Sequence, residues 1–273
     1  MQTVAIVGTG LIGASFGLAL KKAGFGGRIV GVSSPRAVED ALARGAIDEA
    51  APLEQALAAA DLVYLSQTIS RILETIPAIA RCLRPDALVT DAGSTKVEIA
   101  RRAAGLGARF LGGHPMAGKE KRGAAEADAD LFVGRTYILT PVEPTAPAAE
   151  FIGWVRKIGA VPVVMTPEEH DRAVALTSHL PQLLSTALAA TLAERLTDSR
   201  AQAAAGPGLC DMTRLAGSSY EIWRDILKTN AGPIDEALAA AIAKLEALRA
   251  GLNSGAAEAM FESGAGFSAR VRK

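Results

Sequence analysis

Cysteine is almost missing from this chain of 273 residues: Cys82 and Cys210 are the only two. Two isolated thiols give neither a disulfide framework nor a metal-ligand spacing, which argues against a stapled secreted scaffold and against a bound metal, and fits a reducing compartment. An excess of charge is also lacking. With 29 Lys and Arg against 29 Asp and Glu the formal net charge is zero, so nothing points to nucleic acid or another polyanion as partner. No uninterrupted apolar run approaches the ~20 residues needed to span a bilayer, and the first residues enter an apolar strand without a basic leader. A cytoplasmic protein with no membrane partner is the expectation. What is plentiful is apolar material, 49% of the residues, enough to bury a substantial core in one or two domains.

The first thirty residues carry the most information. In "TVAIVGTGLIGASFGLALKKAGFGGRIVGVSS" an apolar strand (Val4 to Val7) runs into a glycine turn, an apolar helix (Leu11 to Lys22) and a second strand (Arg28 to Val32). Gly8 allows the sharp turn, Gly10 lets backbone approach a pyrophosphate, and Gly13 lets the helix pack on the sheet. Leu11 and Ile12 open a helix whose N-terminus faces the phosphates. This strand, turn and helix context is what turns a bare glycine pattern into a dinucleotide-binding prediction.

The alternation continues with helix 35–44, a strand near Val63 to Leu65, helix 70–82, strand Leu88 to Asp91, helix 95–104, and strands Arg109 to Gly112 and Thr136 to Thr140. It predicts an α/β fold: a parallel, doubly wound Rossmann-type sheet. A last strand, "AVPVVMT", ends at Thr166. There Thr166-Pro167-Glu168-Glu169 reads as a capping box with proline at the first helical position, and the remainder is nearly all helical. The expected division is a dinucleotide-binding domain over 1–166 and a helical domain over 167–273. Pro181 is expected to kink the first long helix. Ile234, Leu238, Ile242, Leu245 and Leu248 recur at helical spacing as a core or subunit-interface stripe. The Gly/Ala/Ser-rich tail after Gly251 is expected to be loosely held.

In NAD-binding sheets the second strand ends in an acid that accepts from the ribose hydroxyls. Here the strand is followed by Ser33, Ser34, Pro35 and Arg36. Two hydroxyls and a guanidinium suit a 2′-phosphate, whereas a carboxylate repels one, so NADP is predicted over NAD.

One of only three histidines lies in "GGHPMAGKEKRG" (112–123). Glycines before His114 and a proline after it read as a shaped loop, either a functional one or a well-built turn. His170, next to the capping box, reads as a structural residue at the domain junction.

Four motifs in order, "TDAGSTK" (90–96), "GGHPMAG" (112–118), "TSHLPQLLSTAL" (177–188) and "CDMTRLAGSSYEIW" (210–223), resemble the prephenate and arogenate dehydrogenases of tyrosine biosynthesis. The resemblance runs from the first strand to about residue 230. It implies a Rossmann domain followed by a helical domain through which two subunits form a homodimer, acting on a small-molecule substrate. Position by position it implies that His114 accepts a hydrogen bond from the ring hydroxyl and that Ser94 orients it near the nicotinamide. It further implies that His179 binds substrate, that Arg214 holds a substrate carboxylate, that Glu120 and Asp211 form an ionic network with Arg214, and that Trp223 lines the same region. Two positions depart from the family: Cys210 stands where a basic residue is common, and Ser66, Gln67 and Thr68 on the nicotinamide-side loop lack the usual Thr-Pro pair. Two other readings compete, a reductase of the β-hydroxyacid dehydrogenase type, which uses a lysine on the helical domain, and a non-catalytic NADP(H) sensor. The sensor has no need of His114, Ser94 and Arg214 together.

Overall fold

A computed structural model describes every residue except Glu120, 141–144, Ser254 and Lys273. The alternating elements build one eight-stranded sheet. In chain order they are β1 (Thr3–Val7), α1 (Leu11–Lys22), β2 (Arg28–Val32), α2 (Pro35–Ala43), β3 (Glu49–Ala50), α3 (Leu53–Ala59), β4 (Leu62–Leu65) and α4 (Ile69–Cys82). There follow β5 (Leu88–Asp91), α5 (Val97–Ala103), β6 (Phe110–Pro115), β7 (Thr136–Thr140), α6 (Ala146–Lys157) and β8 (Val161–Val164). The strands lie in the order β3-β2-β1-β4-β5-β6-β7-β8, so the winding reverses between β1 and β4. Open sheets of this kind bind ligands at that crevice, beyond the carboxyl ends of the strands.

Helices on both faces explain why β1 and β4 are buried at every position and read as unbroken apolar runs. On one face Phe16 stacks on Tyr64 with ring centroids 4.0 Å apart, amid Leu20, Tyr137 and Phe151. On the other, Ile69, Ile72, Ile76 and Ile79 give α4 one buried stripe. Burial of such a side chain stabilises by roughly 1.5–3 kcal/mol. This second core also takes in Ile226 and Ile234, which ties the helical half to the sheet.

Three expectations are corrected. β7 runs antiparallel to β6, so the sheet is not wholly parallel. The segment between these strands holds only a 3-10 turn at Ala124–Glu126 among its described residues, and a parallel pairing needs a crossover. β6 extends through Pro115, which puts His114 in a strand opposite Ile138 rather than in a loop. The glycines before it answer crowding, not flexibility. A Cβ on Gly112 would stand 2.1 Å from Thr140 Oγ1, and one on Gly113 would stand 2.6 Å from the Asp91 carbonyl. β3 and α3 also fill a stretch the sequence left without elements. They are very short, two and seven residues.

After Thr166 the chain is helical: α7 (Pro167–Val174), α8 (Leu180–Arg195), α9 (Ser199–Gln202), α10 (Pro207–Thr213), α11 (Tyr220–Thr229), α12 (Ala231–Ala250) and α13 (Ala256–Val271). The capping box is formed: Glu169 N donates to Thr166 Oγ1 at 3.1 Å, and Thr166 N donates to Glu169 Oε2 at 2.8 Å. In place of a simple kink at Pro181, a π-helical turn at Ala175–His179 separates α7 from α8, and Pro181 sits in the first turn of α8. The widened turn accommodates a ring that has no amide hydrogen to give. Beyond Gly251 the tail forms the regular helix α13, whose described side chains are mostly exposed. No helix among the described residues is long and apolar enough to cross a membrane, and no described cluster of His, Cys, Asp or Glu could hold a metal.

Candidate active site

The turn from β1 to α1 has the form a dinucleotide needs. Gly8 adopts φ +102°, a conformation that strains any residue with a Cβ, and a Cβ on Gly13 would meet the Gly8 carbonyl at 2.1 Å. Gly10 differs: a Cβ there would meet nothing within 4 Å, so the space beside it is open. α1 starts at that point with no side-chain cap and no acid in its first turn, leaving the amides of Leu11 and Ile12 to a ligand. Ser66, past the end of β4, donates to the Gly8 carbonyl at 2.7 Å and braces the turn. The Gln67 side-chain amide contacts Thr75 Oγ1 at 3.1 Å, while that hydroxyl donates to the Arg71 carbonyl at 2.7 Å, and the contact ties the loop that lacks the Thr-Pro pair to α4. Past β2, Ser33, Ser34 and Arg36 are exposed. Ser34 begins α2 without spending its hydroxyl as a cap, and α2 has no acid in its first turn.

His114 lies where β6 leaves the sheet, 9% exposed. Its Nδ1 is 2.8 Å from Nε2 of His170 on α7, and His170 Nδ1 is 2.7 Å from Asp171 Oδ1. The direction of this chain is determined by its far end. The Asp171 carboxylate already accepts from the amides of Lys96 (2.7 Å) and Val97 (3.0 Å), so it accepts from His170 as well. His170 therefore carries its hydrogen on Nδ1 and accepts at Nε2. That makes His114 a donor at Nδ1 and leaves Nε2 as its lone-pair nitrogen. Burial holds His114 well below the ordinary histidine pKa, helped by repulsion from His170 and Lys96. Burial lowers His170 too, against the opposing hydrogen bond to Asp171. Both rings are neutral near pH 7.

Beneath this pair runs a second buried network. Lys96 Nζ pairs with Asp91 Oδ2, while Asp91 also accepts from Gly93 N at 2.8 Å and Gly113 N at 3.2 Å. Burial pulls the Lys96 pKa down and the Asp91 carboxylate pushes it back up. The Gly113 contact anchors the strand residue immediately before His114.

His114, Ser94, His179, Arg214 and Trp223 line one cavity of about 530 Å³. Ser94 shares the wall with His114, whose anchored nitrogen is held by His170. The π-helical turn presents Ser178 and His179, and Arg214 opens the 3-10 turn that follows α10. His179 packs edge-on to Trp223, centroids 5.8 Å apart, and burial pushes its pKa down to about 4 against the pull of Asp171. Asp211 is exposed on α10 and is not part of the cavity wall; Glu120 lies outside the described residues.

Sequence reasoning missed several residues here. Lys119 and Arg122 add two cations to the wall, Lys119 also pairing with Asp128 at 2.9 Å and Arg122 reaching Glu221 at 3.4 Å. The "KEKR" run was their available signal. His170 reads from the sequence as structural only, Asp171 and Asn230 carry no local signal, and Asp91 and Lys96 stand in the "TDAGSTK" motif with nothing there to mark them as a buried pair.

The two halves of the chain match two family models, the prephenate dehydrogenase nucleotide-binding domain over residues 16–164 and the prephenate dehydrogenase dimerization domain over 166–263. Prephenate dehydrogenase from Bacillus subtilis is 35% identical over 271 residues, 95% of this chain and 72% of the relative. That from Lactococcus lactis is 35% identical over 241 residues, 84% of this chain, which spans only 65% of the relative's length. The crystal structure of prephenate dehydrogenase from Aquifex aeolicus in complex with hydroxyphenyl propionate and NAD+ superimposes with a TM-score of 0.90 at 32% identity, covering 100% of this chain and 98% of that one. With both domains matched in order and the histidine, serine and arginine of the motifs gathered on one cavity, the chain belongs to the prephenate dehydrogenase family.

Proposed function

We propose that this protein catalyses the NADP-dependent oxidative decarboxylation of prephenate, arogenate or both, to 4-hydroxyphenylpyruvate or tyrosine, in the cytoplasmic synthesis of tyrosine. The observation that carries the reading is the directed chain Asp171, His170, His114, which leaves a neutral imidazole nitrogen as acceptor on a cavity that also holds Arg214. The substrate is a cyclohexadienol with a ring carboxylate. Bound nicotinamide supplies the acceptor for the carbinol hydride. His114 Nε2 takes the hydroxyl proton as that hydride leaves, Arg214 holds a substrate carboxylate through its two-pronged guanidinium, and Trp223 limits water beside the ring. The ring carboxylate departs as carbon dioxide, its bonding pair completes the aromatic ring, and the ring oxygen takes its proton back from His114 to leave as a phenol. Ser94 stands beside His114 on the same wall, where the nicotinamide ring is expected.

NADP is favoured over NAD by the exposed Ser33, Ser34 and Arg36 and by the absence of an acid in the first turn of α2. Residues 1–166 would take the dinucleotide, and residues 167–273 would close the substrate cavity and form a homodimer. Support for the dimer comes from the exposed apolar side chains of Ile242 and Leu245 on α12 and Phe261 and Phe267 on α13. The decisive experiment follows the reduced-nicotinamide absorbance with NADP or NAD and either substrate. Turnover with prephenate or arogenate is expected. No reduction in any of the four combinations would overturn the reading.

A further inference from the structure

Asn230 closes α11 with its side chain 2% exposed, and its amide nitrogen has two neighbours. Nδ2 donates to the Asp171 carbonyl at 2.9 Å and lies 3.2 Å from His179 Nδ1. A carbonyl oxygen can only accept, so the nitrogen of this amide, not its oxygen, must face Asp171. That nitrogen has two hydrogens and no lone pair to offer. The second hydrogen therefore goes to His179, whose Nδ1 must be the acceptor, and the ring's own hydrogen is left on Nε2. The edge-on contact with Trp223 holds the ring plane.

We propose that Asn230 is a positioning residue that makes His179 a hydrogen-bond donor to the substrate, opposite in polarity to the acceptor His114 across the same cavity. Asp171 serves both settings. Its carboxylate directs the chain through His170 to His114, and its backbone carbonyl orients the amide that directs His179. The two histidines thus meet different atoms, a hydroxyl that must lose its proton at His114 and a carboxylate or keto oxygen that needs an N–H at His179. A neutral donor also contributes no positive charge that a change of pH near neutrality could remove, and burial keeps His179 neutral there. The assignment of a substrate oxygen to His179 rests on the dehydrogenase reading above, whereas the tautomers do not.

The chain has only three histidines, so protein labelled with ¹⁵N in histidine shows a small set of ring nitrogens, assigned through single His variants. Long-range ¹H–¹⁵N correlation at pH 7.5 on the substrate-free protein should find His114 and His170 protonated at Nδ1 and His179 at Nε2. His179 protonated at Nδ1 overturns the proposal without any change at Asn230. Asn230→Asp presents a carboxylate to Nδ1, draws the hydrogen there and turns Nε2 into a second acceptor. It should raise the substrate KM about 10- to 100-fold, the cost of one unmade buried hydrogen bond, while the KM for NADP stays unchanged. An unchanged substrate KM, or equal rises for substrate and cofactor, also counts against it. Should the parent protein turn over neither prephenate nor arogenate, the functional reading fails, and the tautomer measurement still decides the role of Asn230.

Discussion

Lowering the pH from 7.5 to 5 should cost this protein stability well before its carboxylates titrate, because all three of its histidines are buried in one cluster. His179 gives the magnitude. Its ring has a pKa of about 4 in the folded protein and roughly 6.5 in the unfolded chain. Below pH ~6.5 the unfolded chain binds a proton that the folded one refuses, so the free energy of unfolding falls by about 1.4 kcal/mol per pH unit until the folded ring itself titrates. At pH 5 the loss is about 2 kcal/mol, and it reaches about 3 kcal/mol near pH 4. His114 and His170 are lowered in the same direction and add to it. The carboxylates held low by hydrogen bonds, Asp48, Asp61 and Asp225 among them, stabilise above the ordinary Asp pKa and lose that contribution only as pH falls below ~3.9, in a separate window. Urea unfolding at half-unit pH intervals measures the slope, and His179→Gln, which cannot titrate, should remove its own share of it. A free energy of unfolding that stays constant from pH 7.5 to 5 would show that the histidines are not excluded from protons as their burial requires.

Four functional outcomes accompany this. His114→Asn should leave NADP binding intact and cut kcat by about 10²–10⁴-fold, the usual range for a general base; near-normal kcat would return His114 to a structural role. In the parent enzyme kcat/KM should hold from neutrality to below pH ~6.5 and fall only as the lowered His114 takes a proton, so an acid limb at the ordinary histidine value contradicts its burial. Arg214→Lys should raise the substrate KM strongly while cofactor binding is kept, and a lysine variant that matches the parent rules out the two-pronged carboxylate contact. NADP should support turnover at much lower concentration than NAD, and Ser33→Asp should reverse the order; equal efficiency in the parent shows that Arg36 does not meet a phosphate.

The parts of the fold that the sequence discloses are those whose causes are local. The β1 to α1 turn is legible because Gly8, Gly10 and Gly13 act within a few residues of one another, and the capping box at Thr166 and Glu169 spans one turn of helix. Where the cause is distant, the reading goes astray. Gly112 and Gly113 look like loop glycines until Thr140 and Asp91 close on them, and only then do they become strand positions with no room for a side chain. His170 looks structural because its partner lies 56 residues away, and Asp171 reaches Lys96 across 75. In the tail, glycines at 264 and 266 lie within α13, so the sequence alone does not show that a helix forms there. The histidine, serine and arginine of the cavity stand in family motifs, but which nitrogen of each ring carries a hydrogen is written in no motif.

The hydrogen bond from His114 to His170 joins strand β6 of the sheet to the first helix beyond it, and this has a consequence for modularity. A nucleotide-binding half taken from one relative and joined to the helical half of another keeps its histidine but inherits a different holder for it. Such a chimera can fold, bind its cofactor and retain every motif of the cavity, and yet present the wrong nitrogen to the substrate unless the incoming helix brings a histidine and an aspartate just after its capping box. The unit of inheritance for the chemistry is therefore neither half alone but the seam between them.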